Sequence, residues 1–343
     1  MSSSDAPQGR PLSRRSAVAI LGGLATLALA GCSAPTPSSP AGASGPVRAD
    51  VPGPAEISAA TAGDTLPAGA PGAGTPTVTL GTKDFSEQFL LGELYAQALR
   101  AKGFTISLAQ NVGGTEVIDS AFGAGRIGCY PEYVGEIASS LAGASPTDDA
   151  LTTYRRAAEY EATRRNATLL KICRFQNTDV IVVRRELAER HGLRSVPDLA
   201  QLGAARLAAQ PPFRTRTSGL AGMRAVYGLT DLEFFAVAPD ETYGALDAGE
   251  AEVADGFSTD PELASPAYVE LDDPQNLFGF QYVAPVVTRA VLAASGPAFA
   301  RTCNWLSARL SVRAVREMNR LVRLDGQDEA TVARDFLVRS GLR

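Results

Sequence analysis

The feature that most constrains the fold is the order of patterns between Val78 and Leu141. An apolar run (VTLGTK) enters a polar turn and a helical pattern, a second strand-like run follows, and Gly113-Gly114-Thr115 opens another helical pattern. A third apolar run then ends on Tyr130-Pro131-Glu132-Tyr133. Strands alternating with helices predict a mostly parallel sheet with covering helices. The same order puts Lys83, Ser86, Thr115 and Tyr133 at strand-to-helix corners, where open α/β sheets bind small ligands.

The front of the chain reads as an export signal. Arg10, Arg14 and Arg15 make a basic stretch, Ser16–Ala30 is apolar and small, and Leu29-Ala30-Gly31-Cys32 matches a lipobox. Cleavage before Cys32 with lipidation of its thiol is expected, so that residues 1–31 are removed. Arg14-Arg15 is compatible with twin-arginine or general export. Residues 32–76 are rich in Ala, Gly, Pro and Ser and are predicted to be a flexible tether. After removal of residues 1–31, 29 basic and 36 acidic side chains leave a net charge of −7, which argues against a nucleic-acid partner. His191 is the single histidine and the cysteine spacings fit no metal site, so neither metal nor cofactor is expected. Outside the cytoplasm a Cys129–Cys173 disulfide is expected, with Cys303 free.

Further along, strands are predicted at 77–82, 104–110, 126–130, 179–184, 205–209, 233–237, 252–257 and 284–291. Helices are predicted at 86–102, 114–124, 132–141, 147–166, 185–191, 218–227 and 241–249, and throughout 297–342. A helical tail has no sheet of its own to cover. This favours a discontinuous arrangement: lobe one at 77–176 plus 283–343, lobe two at 177–282, with the chain crossing near 176–178 and 281–283.

The folded part resembles the glycine betaine/choline-type substrate-binding proteins of ABC importers. Eight stretches carry the resemblance: Gly81-Thr82-Lys83-Asp84-Phe85-Ser86-Glu87-Gln88, Gly113–Val117, Tyr130–Glu136, Arg216–Leu220, Tyr227-Gly228-Leu229, Tyr243–Gly249, Ser258-Thr259-Asp260 and Ala284–Val287. It implies a two-lobe, periplasmic-binding-protein-like α/β fold of type II, each lobe a mixed sheet, hinged by two crossing strands. It also implies a monomeric solute receptor, lipid-anchored to the outer face of the cytoplasmic membrane, that serves a permease and its ATPase. A quaternary ammonium group makes no hydrogen bonds and is held by aromatic faces, while a carboxylate needs cationic or N–H donors. By resemblance, Tyr133, Tyr243 and Tyr282 form cage walls, Lys83 and Arg216 clamp a carboxylate, and Thr115 offers a hydroxyl.

Three positions depart from the pattern. Asp179 follows Asn177-Thr178 where a Tyr is usual, Glu136 replaces a Thr, and Gly128 replaces an Asp. With Asn177, Asp179 and Glu136 at the cleft, the expected ligand is a quaternary amine or a more cationic, amine-bearing solute. A sensor lipoprotein on the same fold is the remaining alternative. An exported enzyme is disfavoured, because no Gly-x-Ser-x-Gly or comparable catalytic motif is present.

Overall fold

The computed structural model describes residues 64–144, 149–238 and 241–342. The signal segment, Cys32 and the tether as far as residue 63 lie outside these residues.

The first stretch folds as its pattern predicts. Strand β1 (Val78–Gly81) leads into α1 (Ser86–Arg100), β2 (Ile106–Ala109) into α2 (Thr115–Gly123), and β3 (Cys129–Tyr133) into α3 (Val134–Glu136), which continues as a π-helical turn over Ile137–Leu141. Helix α4 (Ala150–Arg164) starts at Asp149, whose carboxylate accepts from Leu151 N and Thr152 N, and β4 (Ala167–Leu169) follows. The second block comprises β5 (Asp179–Arg184), α5 (Arg185–His191), β6 (Ala205–Ala209), α6 (Leu220–Tyr227), β7 (Leu232–Ala236), α7 (Thr242–Asp247), β8 (Val253–Phe257) and β9 (Tyr268–Leu271). The chain returns through β10 (Val283–Thr288) to α8 (Arg289–Ser295), α9 (Pro297–Ser307), α10 (Val312–Arg323) and α11 (Glu329–Arg339).

Two five-stranded sheets result, ordered β2-β1-β3-β10-β4 and β7-β6-β8-β5-β9. They share one plan. In the first, β1 runs parallel to β2 and β3 while β10 is antiparallel to β3 and β4. In the second, β6 runs parallel to β7 and β8 while β5 is antiparallel to β8 and β9. Each sheet is buried on both faces, as apolar runs with little alternation require. On one face of the first sheet, Leu80, Tyr133, Val283 and Val287 meet Leu94, Trp305, Met318 and Leu337. On its other face, Tyr130, Ala284 and Val286 meet Ile118, Phe122 and Ala157. The second sheet has the same two cores, one around Ile181, Leu207 and Met223 and one around Val182, Ala208 and Leu246.

The segments between the sheets pair with each other. Gln176 bridges Tyr282, and Asn177 N donates to Gln281 O at 3.0 Å. Gly135 presses against this junction: a Cβ there would lie 2.5 Å from Phe280 O and 2.6 Å from Gln281 Oε1. Gly135→Ala is therefore expected to lower stability by ~1–2 kcal/mol through overpacking; a urea midpoint unchanged from wild type would show that the junction yields freely.

Several expectations change. The strand predicted at 284–291 stops at Thr288, whose hydroxyl caps α8 by accepting from Val291 N at 3.2 Å. The helix predicted from 132 begins at Val134, leaving Glu132 and Tyr133 in β3. Residues 64–76, predicted as tether, are docked on the fold. There Asp64 bridges Lys171 at 3.0 Å and accepts from Asn304 Nδ2 at 2.8 Å, Leu66 packs on the first core, and Gly72 N donates to Lys102 O at 2.9 Å. The Cys129–Cys173 disulfide is absent, and Cys129, Cys173 and Cys303 are buried free thiols. Cys173 Sγ lies 3.3 Å from Tyr95 Oη instead, and burial pushes both the Cys129 and Cys173 thiols up to about 12.

Candidate functional site

Because β1 and β3 are parallel neighbours, their C-terminal corners meet, and Lys83 comes to lie beside Glu132. Lys83 is buried. Its Nζ sits 2.6 Å from Glu132 Oε1, donates to Thr115 Oγ1 at 2.9 Å, and lies 5.0 Å from the centroid of the Tyr133 ring. Thr115 passes the contact on, donating to Glu136 Oε2 at 3.2 Å, an oxygen that also accepts from Ser140 Oγ at 3.0 Å. The backbone N–H of Glu136 donates to Gln281 Oε1 at 3.1 Å, which ties α3 to the junction between the sheets. Gly113 makes the Thr115 corner available: its φ of +137° suits glycine, and a Cβ there would strike Val117. Burial raises the Glu132 carboxyl to about 6, and the Lys83 charge and its hydrogen bond work against that rise. Glu132 Oε2 has no hydrogen-bond partner among the described residues.

The structure thus brings the candidate residues Lys83, Thr115, Tyr133 and Glu136 next to one another, with Glu132 beside them. It does not assemble the three tyrosines into one cage. Tyr133 packs in the first core, its hydroxyl donating to Glu87 Oε1 at 2.8 Å. Tyr243 packs in a core of the second sheet, edge-on to Tyr268 with centroids 5.1 Å apart, and its hydroxyl donates to Asp260 Oδ2 at 3.1 Å. Tyr282 lies half-buried on the opposite face of the first sheet. The cause is side-chain direction: Tyr133 and Tyr282 belong to opposite faces of one sheet, and a buried Tyr243 needs the acceptor that Asp260 supplies. The aromatic surface open at the Lys83 corner is Phe85, which stacks on Tyr133 at 6.1 Å and is 38% exposed.

Asn177 is held at the junction between the sheets, with its Oδ1 lacking a hydrogen-bond partner among the described residues. Its Nδ2 donates to Glu87 Oε1 at 3.0 Å, so its side chain serves the junction. Asp179 opens β5 opposite Phe257, and Asp255 on β8 pairs with Ile181, so the two carboxylates are diagonal neighbours on one face of the second sheet. Burial raises Asp179, Arg216 works against this, and Glu136 adds to it. Burial also raises Asp255, with Asp179 and Asp260 adding to the effect and Arg216 opposing it. The charge of Glu136, from the first sheet's layer, thus adds to the rise of Asp179, and the charge of exposed Arg216 opposes the rise of both aspartates. Arg214, the neighbouring candidate, stacks over Phe234 with its guanidinium 5.8 Å from the ring centroid.

Sequence reasoning missed Glu132, Phe85 and Asp255 as members of this cluster. Glu132 and Phe85 stand inside the motifs already singled out. Asp255 offered one signal: a carboxylate two residues from the end of an otherwise apolar strand, Val253–Phe257.

Comparison with known proteins agrees with this architecture. The sequence matches the family described as OpuAC, substrate binding domain of ABC-type glycine betaine transport system, over residues 76–339. A glycine-betaine-binding protein of Pseudomonas aeruginosa is 30% identical over 276 residues, covering 76% of this chain and 87% of that protein. Among solved structures, a glycine betaine/carnitine/choline ABC transporter protein superposes with a TM-score of 0.70 at 22% identity, covering 77% of this chain and 99% of the other. Apo YehZ from Escherichia coli superposes with a TM-score of 0.64 at 26% identity, covering 79% and 100%. The two sheets are those of a periplasmic-binding-protein fold, and the chain belongs to the family of substrate-binding domains of ABC-type glycine betaine transport systems.

Proposed function

We propose that this protein is an exported receptor, lipidated at Cys32, that captures a small cation of the quaternary-amine class and delivers it to a permease driven by a cytoplasmic ATPase. Residues 77–176 with 283–343 form one lobe and residues 177–282 the other, and the paired segments at 176–178 and 281–283 act as the hinge. The receptor works as a monomer, performs no covalent chemistry and needs no cofactor. Closure excludes water and strengthens the charge and cation–π terms.

The observation that carries this reading is the charge of the corner cluster. Glu132, Glu136, Asp179 and Asp255 face Lys83 and Arg216, and Lys83 is already bound to Glu132. Carboxylates are in excess, which favours a ligand with net positive charge over a zwitterion whose own carboxylate needs a free clamp. The names of the relatives support the ammonium class. Phe85 over Tyr133 supplies the aromatic face that an ammonium requires.

A thermal-shift screen of the mature chain against choline, carnitine, glycine betaine, proline betaine, ectoine and basic amino acids tests the proposal. A ligand at 100 times its Kd stabilises by about 2.7 kcal/mol, and a panel without any upward shift would remove the reading. Phe85→Ala is expected to weaken the bound solute by ~3- to 10-fold, the range of a partly exposed cation–π contact, with little change in melting of the free protein. Equal affinity in the variant would place the aromatic wall elsewhere.

A further inference from the structure

Asp255 stands in the middle of an otherwise apolar strand at a cost. It is 5% exposed, and its Oδ1 has no hydrogen-bond partner among the described residues. Leaving a buried carboxyl oxygen unpaired is unfavourable by about 1–3 kcal/mol. The surroundings explain what it waits for. Asp179, half-buried, is its outer neighbour on the same sheet face, and the charge of Asp260, beyond the end of β8, adds to its rise. Arg216, ahead of α6, is the cation felt by both aspartates, and Glu136 approaches Asp179 from the opposite layer. Asp260 is itself engaged, by Arg323 at 2.8 Å and by Phe257 N at 2.7 Å, so it cannot satisfy Asp255.

We propose that Asp255 and Asp179 form a paired acceptor that selects cations carrying N–H donors, such as a primary or tertiary ammonium, an imidazolium or a guanidinium, over fully methylated ammonium. A tetraalkyl nitrogen presents only methyl groups and leaves the unpaired oxygen unpaired. An N–H donor satisfies it and adds a charge-assisted hydrogen bond. Without a bound cation the two carboxylates repel each other, and burial favours retention of a proton on the pair. Arrival of the cation favours the fully ionised pair, so binding releases a proton and affinity rises with pH across the neutral range. This inference rests on the cation-receptor reading above and names the substrate class of that site.

The test compares dimethylaminoethanol, whose ammonium keeps one N–H, with choline, which has none, by calorimetric titration of the mature protein. The wild type is expected to prefer dimethylaminoethanol by ~10-fold or more, the range of a hydrogen bond to a charged group. Titrations in buffers of different ionisation enthalpy should show proton release for that ligand. Asp255→Asn should cut the preference by ~10-fold and abolish the release, the ratio of the two affinities being the readout because loss of a carboxylate weakens both cations. Asp179→Asn reads the same ratio if the first variant folds poorly. Binding of neither solute, with the whole ammonium panel also silent, overturns the cation-receptor reading itself. Binding of choline at least as tightly as dimethylaminoethanol, or an unchanged ratio in both variants, overturns the paired acceptor alone.

Discussion

Replacing Glu87 by Ala is expected to lower the unfolding free energy by ~3 kcal/mol, through lost hydrogen bonds alone. The buried Glu87 carboxylate accepts three side-chain donors: Tyr133 Oη at 2.8 Å and Asn177 Nδ2 at 3.0 Å on Oε1, and Asn319 Nδ2 at 3.0 Å on Oε2. These come from β3, from the junction between the sheets and from α10. Asn319 Nδ2 also reaches Thr259 O at 3.1 Å, so the same network touches the loop after β8. Truncation leaves three donors without this acceptor, of which Tyr133 and Asn319 are buried and Asn177 half-buried, a buried donor left unpaired costing about 1–3 kcal/mol before relaxation or entry of water. Glu87 also stands in the first turn of α1, where a negative side chain favours the helix dipole. Glu87→Gln keeps one acceptor oxygen but turns an amide donor toward the asparagine amides, and should lose roughly half as much. For a chain of this size a loss of about 3 kcal/mol lowers the melting temperature by ~6–12 °C. Urea unfolding followed by circular dichroism measures it. A loss below ~1 kcal/mol in Glu87→Ala would show that water replaces the carboxylate without penalty.

That network marks the boundary of what the sequence discloses. The alternation of strands and helices and the three corners were legible because each is a local pattern of apolar period and turn residues. The partners of buried polar groups were not. Glu132 reads as a helix-start carboxylate, since nothing nearby in sequence announces Lys83, 49 positions earlier, as its counter-ion. Tyr243, at the first turn of a helix, reads equally well as a cleft wall or a core residue; the deciding partner, Asp260, arrives by way of β8. Asp64 holds residues 64–76 through Lys171 and Asn304, contacts that outweigh a composition typical of a tether. Strand β9 escaped because it is an edge strand with a single buried residue, Leu271, and so shows no two-residue period.

The second large effect concerns a buried carboxyl group on α4, and it depends on pH. Glu161 lies on the inner side of α4, fully shielded from solvent, and neither of its carboxyl oxygens has a hydrogen-bond partner among the described residues. Burial raises it to about 8, with Asp119 and Glu132 adding to the rise and Arg165, ion-paired to Asp119, working against it. A folded value above the unfolded one near 4.5 means that the folded protein holds this proton more tightly. The group then costs nothing below pH 4.5. Its cost grows as pH rises toward 8 and is constant beyond. Glu161→Gln removes that cost, because an amide cannot ionise. The variant should match wild type within ~0.5 kcal/mol near pH 4.5 and exceed it by ~2–4 kcal/mol at pH 8. The interval from 4.5 to about 8, at about 1.4 kcal/mol for each pH unit, bounds that gain from above. Glu132, raised to about 6, has the same sign over a narrower window, but it is present in both proteins and cancels in the comparison. Paired urea titrations at pH 4.5, 6.5 and 8 measure the difference. A stabilisation of equal size at all three pH values would mean that Glu161 gains from lost polarity alone and carries no titrating proton, and a destabilisation at pH 8 would mean that its carboxylate is held by donors the folded chain brings to it.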